Sequence, residues 1–217
     1  MLWIASLTSL LASYLCGSFP SGFLAGKLRG VDLRKEGSGN VGATNAFRVL
    51  GKAWGYTVFA ADALKGFLGV WAALGIAMLL APGYEIPMGV VGAVGAVLGH
   101  NFPVWLGFQG GKGISTSAGV MLGLFPPLVF AVGLVAWLTF FFTTRYVSVA
   151  SLASAIALPA TSLAMALNGK CHWLLVVVAS VMCLLAFWRH RPNIARLMAG
   201  TEKRFERKKK DSPEATT

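Results

Sequence analysis

An all-α, polytopic membrane helix bundle is the fold class this sequence predicts, with seven transmembrane helices, the N-terminus outside and the C-terminus cytoplasmic. Three observations predict it. The 217 residues are 56% hydrophobic and only 12% charged, with a mean hydropathy of +0.67, whereas an ordinary soluble domain carries roughly 25% charged residues. Near-uncharged runs approach the ~20 residues that a helix needs to cross the hydrocarbon layer, and they recur along the chain. The basic residues behind the net charge of +11 gather in residues 27–52 and in the tail from Arg189 to Lys210. That is the footprint of cytoplasmic loops near anionic headgroups, and it sets nucleic acid aside as a partner.

The elements follow in order. Residues 1–23 carry no charge, and the next segment carries Lys27, Arg29, Arg34, Lys35, Arg48 and Lys52, so the first helix runs from outside to inside. It lacks the charged n-region and small-residue cleavage site of a secretory signal and is expected to stay. A second helix, near 55–80, returns to an outer Pro82-Gly83-Tyr84-Glu85 turn, and a third, near 87–106, delivers residues 107–117 to the cytoplasm. The stretch 114–142 contains Pro126-Pro127, which cannot continue a helix without losing donors. Broken there, it makes two short helices that keep both Arg145 and the basic tail inside. Such half-length helices are expected to be shielded by the bundle. Helices near 148–167 and 173–188 complete the seven. Residues 1–200 then form an integral membrane domain, and 201–217 a basic, flexible cytoplasmic tail. Cys16, Cys171 and Cys183 are too scattered for a disulfide framework or a metal cluster and read as small membrane-buried residues.

This topology gathers the polar clusters on one face. They are the glycine-rich run 37–48 ending in Arg48, the pair Asp62 and Lys65, the run 99–113 with His100 and Lys112, the run 145–151 with Ser148 and Ser151, and His190-Arg191-Pro192-Asn193. Clusters separated by apolar helices meet only at the helices' cytoplasmic ends, where helix N-termini suit anions. A loop with many approachable backbone N–H groups, a hydroxyl and one cation reads as a wall of a phosphate site. Each cluster also has a plainer reading. Asp62 and Lys65, three apart on one helix, form a mutually neutralising pair. Ser148 and Ser151 bond back to helix carbonyls. Lys112 in Gly-Gly-Lys-Gly is a positive-inside residue in a tight turn.

Several chemistries are excluded. Walker A needs a glycine five positions before the Gly-Lys pair and a hydroxyl after it, and Leu106 and Gly113 stand there. None of His100, His172 and His190 has an aspartate five residues on, and no Ser-His-acid or Cys-His pair is evident. Glu202 and Glu206 precede the far tail, which leaves Asp32, Glu36 and Asp62 near the site and argues against paired-carboxylate chemistry. What remains is a cation- and hydroxyl-rich pocket for substrates that bring their own leaving group.

Four runs carry a resemblance that spans most of the chain: Gly-Ser-Gly-Asn-x-Gly-Ala-Thr-Asn-x-x-Arg at 37–48, Gly-His-x-Phe-Pro-x-x-x-Gly-Phe-x-Gly-Gly-Lys-Gly at 99–113, Arg-Tyr-Val-Ser-x-x-Ser at 145–151 and His-Arg-x-Asn-Ile-x-Arg-Leu at 190–197. In this order they resemble the bacterial membrane acyl-phosphate:glycerol-3-phosphate acyltransferases. The basic tail and Pro192 depart from that pattern. The resemblance implies transfer of a fatty acyl group from acyl phosphate to the 1-hydroxyl of glycerol 3-phosphate at the cytoplasmic face of the inner membrane. It implies no cofactor, no metal and no obligate protein partner beside the substrates and membrane lipid. It implies catalytic roles for Ser38, Arg48, Lys112, His190 and Asn193. Asn40, Thr44, Asn45, His100, Gly110, Gly111, Gly113, Ser148 and Ser151 complete the binding set. An acyl phosphate is already activated, so the lack of a carboxylate base fits a protein that positions two anions. The competing class is a transporter of an organic phosphate, which would place its site near the midplane with polar groups on both faces.

Overall fold

The computed structural model describes residues 1–205, and the expected flexibility of the tail falls mostly outside those residues. The described residues form ten α-helices: α1 (Leu2–Gly17), α2 (Ser21–Leu28), α3 (Ala43–Leu50), α4 (Lys52–Leu80), α5 (Glu85–Asn101), α6 (Ile114–Leu124), α7 (Pro127–Thr144), α8 (Val147–Leu167), α9 (Trp173–Arg189) and α10 (Arg191–Met198). Five stretches are long and apolar enough to span a membrane: Leu2–Leu28, Lys52–Leu80, Glu85–Leu106, Pro127–Thr144 and Val147–Leu167. A sixth arises if α9 and α10, bent by 55° at His190, count as one. The shorter α6 is apolar as well.

Small residues set how closely these helices approach. A side chain on Gly66 of α4 would run into the Thr116 carbonyl of α6, and one on Gly119 of α6 into the Ala63 carbonyl of α4, so the two backbones touch as membrane helices do where packing must replace the hydrophobic effect. Polar bonds join α1 to its neighbours: Ser13 Oγ donates to the Gly69 carbonyl at 2.6 Å and Tyr14 Oη to the Phe102 carbonyl at 2.7 Å. The main core runs through Val70, Ala96, Val120, Val129, Leu158 and Val178, drawing on α4 to α9.

Three expectations need correction. Only α6 is short; α7 has 18 residues. Nor is α7 shielded: 11% of its apolar window is buried, against 56% for Glu85–Leu106. Pro127 sits at its first turn, where a missing N–H costs nothing, so α7 starts cleanly and is long enough to face lipid itself. The glycine-rich run is loop only to Gly42; Thr44, Asn45 and Arg48 ride on α3, which packs on α4 as Phe47 meets Gly55.

Candidate active site

Four helix N-termini converge on one polar cavity of about 130 Å³. Gly42 precedes α3, Gly113 precedes α6, Tyr146 precedes α8 and His190 precedes α10. Those of α3, α6 and α8 bring unpaired backbone N–H groups and the positive end of a helix dipole; α10, with Pro192 in its first turn and the Asn193 N–H already donating to the His190 carbonyl, brings side chains instead. Gly113 adopts φ +85, a left-handed turn that glycine enters without strain and that lets α6 start immediately after Lys112. The cavity is lined by Ser38, Asn40, Thr44, Asn45, Arg48, His100, Lys112, Gly113, Ser148, Ser151 and His190 from the expected set.

The first wall is rigid. Asn45, 1% exposed, accepts from the Ser38 N–H at 2.8 Å and donates to the carbonyls of Leu33 and Glu36 at 3.1 and 3.0 Å. Asn40 accepts from the Gly42 N–H at 2.8 Å. Asn40 and Asn45 therefore shape the loop, and Ser38 and Arg48 are left beside the cavity.

The expected residues Gly110 and Gly111 do not line it. A side chain at Gly110 would collide with the His100 carbonyl, and one at Gly111 with the His100 imidazole. Their carbonyls accept from Arg189 at 2.8 and 3.0 Å. Their smallness thus permits the close approach of the loop before α6 to His100. Asn193 also lies off this cavity, lining a neighbouring basic mouth of about 320 Å³ with Lys112, Arg189, Arg191 and Arg196. It remains coupled to the site because its amide oxygen accepts from Lys112 Nζ.

The charges are tuned by burial. The Lys112 pKa is brought down to about 8, first by burial, with Glu202 opposing and Arg196, Arg48 and Arg189 adding to the fall. Burial likewise lowers Arg48, which donates to the Lys203 carbonyl at 3.1 Å. His190 is 3% exposed, and its Nδ1 lies 2.8 Å from the Ala186 carbonyl. A carbonyl only accepts, so Nδ1 carries the hydrogen and Nε2 is left as the acceptor.

Two acidic groups line the cavity: Asp62, placed near the site by the sequence but read as half of a neutralising pair, and Glu202, which the sequence set apart with the tail. Asp62 sits on α4 at 1% exposure, 2.7 Å from Lys65 Nζ, accepting from Ser21 Oγ at 2.5 Å and 3.5 Å from His100 Nδ1. The last distance is an electrostatic contact rather than a hydrogen bond. The neutralising pair is thus observed and braces α2 and α5 as well. Glu202, set apart with the tail in the sequence reading, folds back into the site and accepts from Ser148 Oγ at 2.9 Å, Asn193 Nδ2 at 2.6 Å and Arg196 Nε at 2.7 Å. Ser148 consequently bonds a carboxylate and not a helix carbonyl. Asp32 and Glu36 stay in the loop outside the cavity, Asp32 paired with Arg34 at 2.8 Å. The only cue to Glu202 was its place four residues past α10, which sequence periodicity does not interpret.

Beyond Thr44, Phe59 and Ser151 the polar cavity adjoins an apolar one of about 440 Å³ between α3, α4, α6, α7, α8 and α9, lined by Phe47, Tyr56, Met121, Phe130, Leu158 and Met182 among others. Phe205 closes it, packing on Phe47 and Phe141 at ring separations of 4.8 and 5.5 Å. No cluster among the described residues has the His, Cys, Asp or Glu grouping to hold a metal ion. A basic mouth, a polar seat and an apolar groove in line can hold an anion at one end and a long hydrocarbon at the other.

Comparison with known proteins agrees with that shape. The family model for glycerol-3-phosphate acyltransferase matches residues 7–200. A glycerol-3-phosphate acyltransferase of Thermus thermophilus is 44% identical over 208 residues, covering 93% of this chain and 96% of its own length. One of Hyphomonas neptunium is 39% identical over 214 residues, covering 98% and 99%. Among solved structures, the integral membrane glycerol 3-phosphate acyltransferase PlsY (YgiH) in its glycerol 3-phosphate form is similar with TM-score 0.81 at 39% identity, over 93% of this chain and 96% of that one. Its lysophosphatidic acid form gives 0.79 at 38% identity. With nearly its whole length matched and its polar motifs assembled around one cavity, the chain belongs to the glycerol-3-phosphate acyltransferase family of multi-pass membrane enzymes.

Proposed function

We propose that the acyl donor is an acyl phosphate and that the fatty acyl group passes to the 1-hydroxyl of glycerol 3-phosphate, giving lysophosphatidic acid and inorganic phosphate. The observation that carries this reading is the continuous path from the basic mouth through the polar seat to the apolar groove, with Lys112 shared by the first two and Ser151 by the last two. The hydrocarbon lies in the groove, and the carbonyl sits at the junction beside Thr44 and Ser151. Arg48, Lys112 and the N-termini of α3, α6 and α8 hold the phosphates of donor and acceptor and stabilise charge as it develops. The 1-hydroxyl oxygen bonds to the carbonyl carbon, the carbon–oxygen bond to phosphate breaks, and the phosphate departs with its electron pair. His190 Nε2 accepts the hydroxyl hydrogen bond and orients it, and a substrate phosphate oxygen, with a second pKa of about 6, takes the proton. Ser38 and Asn193 complete the clamp. No cofactor, metal or protein partner is required.

The same reading sets seven crossings in a bacterial inner membrane, α6 being the seventh, with the N-terminus outside and the site at the cytoplasmic face; the cation distribution supports it. Family membership leaves the transporter reading without support. The test is the purified protein in defined lipid with glycerol 3-phosphate and one donor at a time. Lysophosphatidic acid from acyl phosphate is expected, and product only from acyl-CoA or acyl carrier protein would overturn the donor assignment.

A further inference from the structure

The polar cavity is rich in donors and poor in acceptors, yet the acceptor substrate brings two hydroxyls as well as a phosphate. The amide oxygens of Asn40, Asn45 and Asn193 already accept from the Gly42 N–H, the Ser38 N–H and Lys112. The strongest acceptors left are His190 Nε2, which serves the reacting hydroxyl, and the carboxylates. Asp62 is occupied by Lys65 and Ser21, with His100 beside it. Glu202 differs. A carboxylate offers about four lone pairs, and the bonds from Ser148, Asn193 and Arg196 use one on Oε2 and two on Oε1. One lone pair of Oε2 has no partner among the described residues.

That carboxylate is also held still. Its side chain is 6% exposed. The segment bearing it is pinned by the Phe205 N–H donating to the Arg145 carbonyl at 2.8 Å, by Arg48 on the Lys203 carbonyl and by the Phe205 ring between Phe47 and Phe141. We propose that Glu202 is the specificity-determining residue of the acceptor site, accepting a hydrogen bond from the 2-hydroxyl of glycerol 3-phosphate while Ser148, Asn193 and Arg196 fix its plane. The inference rests on glycerol 3-phosphate being the acceptor. Burial works to raise the Glu202 pKa, but the bonds from Asn193, Arg196 and Ser148 outweigh it and hold the group below the usual carboxylate range. It is therefore an acceptor throughout the neutral range, and Arg48, Lys112 and Arg196 around it offset its repulsion of the substrate phosphate. A 2-keto analogue would turn its own lone pairs on the carboxylate, and a 2-deoxy analogue would leave the carboxylate unmatched. Both are rejected by a site built to receive a hydroxyl.

The experiment compares kcat/KM for glycerol 3-phosphate, 3-hydroxypropyl phosphate and dihydroxyacetone phosphate in the full-length enzyme and in Glu202→Gln, with acyl phosphate as donor. The preference of the wild type for glycerol 3-phosphate over the deoxy analogue is expected to fall at least about tenfold in the variant. Relative use of the ketone should rise, because the new amide N–H donates to it. A purely structural Glu202 would slow all three substrates alike, and an unchanged ratio overturns the proposal. A second measurement needs no variant. In thermal-shift titration of the wild type, the deoxy analogue should need at least about ten times the concentration of glycerol 3-phosphate for equal protection, and equal potency would also overturn it. Wild type that makes no lysophosphatidic acid sinks the assigned reaction, whereas an active wild type with an unchanged ratio sinks only the role of Glu202.

Discussion

The two carboxylates that face the cavity are held in opposite ways. Asp62 stands in the middle of the bundle, and its partners come from α2, α4 and α5, elements bound to one another by packing whether substrate is present or not. Glu202 rides on a short return of chain after α10, and its partners Ser148 and Asn193 line the polar cavity and the basic mouth beside it. The first is an anchor whose loss leaves a buried lysine uncompensated. The second, on the role proposed for it, belongs to the machinery, and its loss should change what the site binds more than whether it exists. A carboxylate's role thus follows from which of its partners have other work.

The sharpest way to break that comparison is at the anchor. Asp62→Ala should destabilise the protein by roughly 3–5 kcal/mol, the scale for stranding one member of a buried pair. The double replacement Asp62→Asn with Lys65→Met should recover much of the loss, as read by thermal unfolding in detergent. A single variant as stable as wild type would mean that the pair is dispensable.

Next comes the clamp. Arg48→Ala and Lys112→Ala should each cost roughly 2–4 kcal/mol in kcat/KM while leaving the protein folded and inserted. Lys208→Ala, outside the described residues, serves as the control and should change little. Near-normal turnover in either clamp variant would reduce those cations to topological signals.

The pH dependence is a smaller effect of defined sign. Lys112 binds anions only when protonated, and its pKa lies near 8, below its ordinary value of 10.5. The kcat/KM of the wild type should therefore fall as pH rises through about 8. Lys112→Arg, whose guanidinium stays protonated, should remove that limb even if its overall rate is lower. A limb unmoved by the substitution would assign it to another group. On the acidic side, replacing the phosphate of glycerol 3-phosphate by a phosphonate of shifted second pKa should move the limb with the substrate. A limb that stays put would hand the proton to His190.

The smallest perturbation tests topology alone. A cysteine at Glu85 should label from outside, and one at Gln109 only after permeabilisation; outside labelling at 109 would reverse the cytoplasmic assignment.

Much of this was legible in the residues themselves, and what was legible divides by physical range. Long apolar runs, the Pro126-Pro127 break and the two basic segments act locally or through the bilayer, so the all-α membrane class, the break before α7 and the sidedness proposed here could be read without contacts, whereas the short helices α2, α3 and α10 could not. The polar runs around Arg48, Lys112, Ser148 and His190 announced themselves because charge and hydroxyls are rare in such a chain, and one-sided loops leave them few places to meet. Only the tertiary structure decided that Gly110 and Gly111 make room for His100 rather than line the cavity, since that depends on how closely α5 meets the loop before α6. It alone showed that α7 is long and exposed, because shielding is a property of neighbours. It alone brought Glu202 home: the carboxylate is drawn into the site by Ser148, Asn193 and Arg196, the first 54 residues away in the chain, and no local pattern encodes a bond between two segments that only the folded bundle brings together.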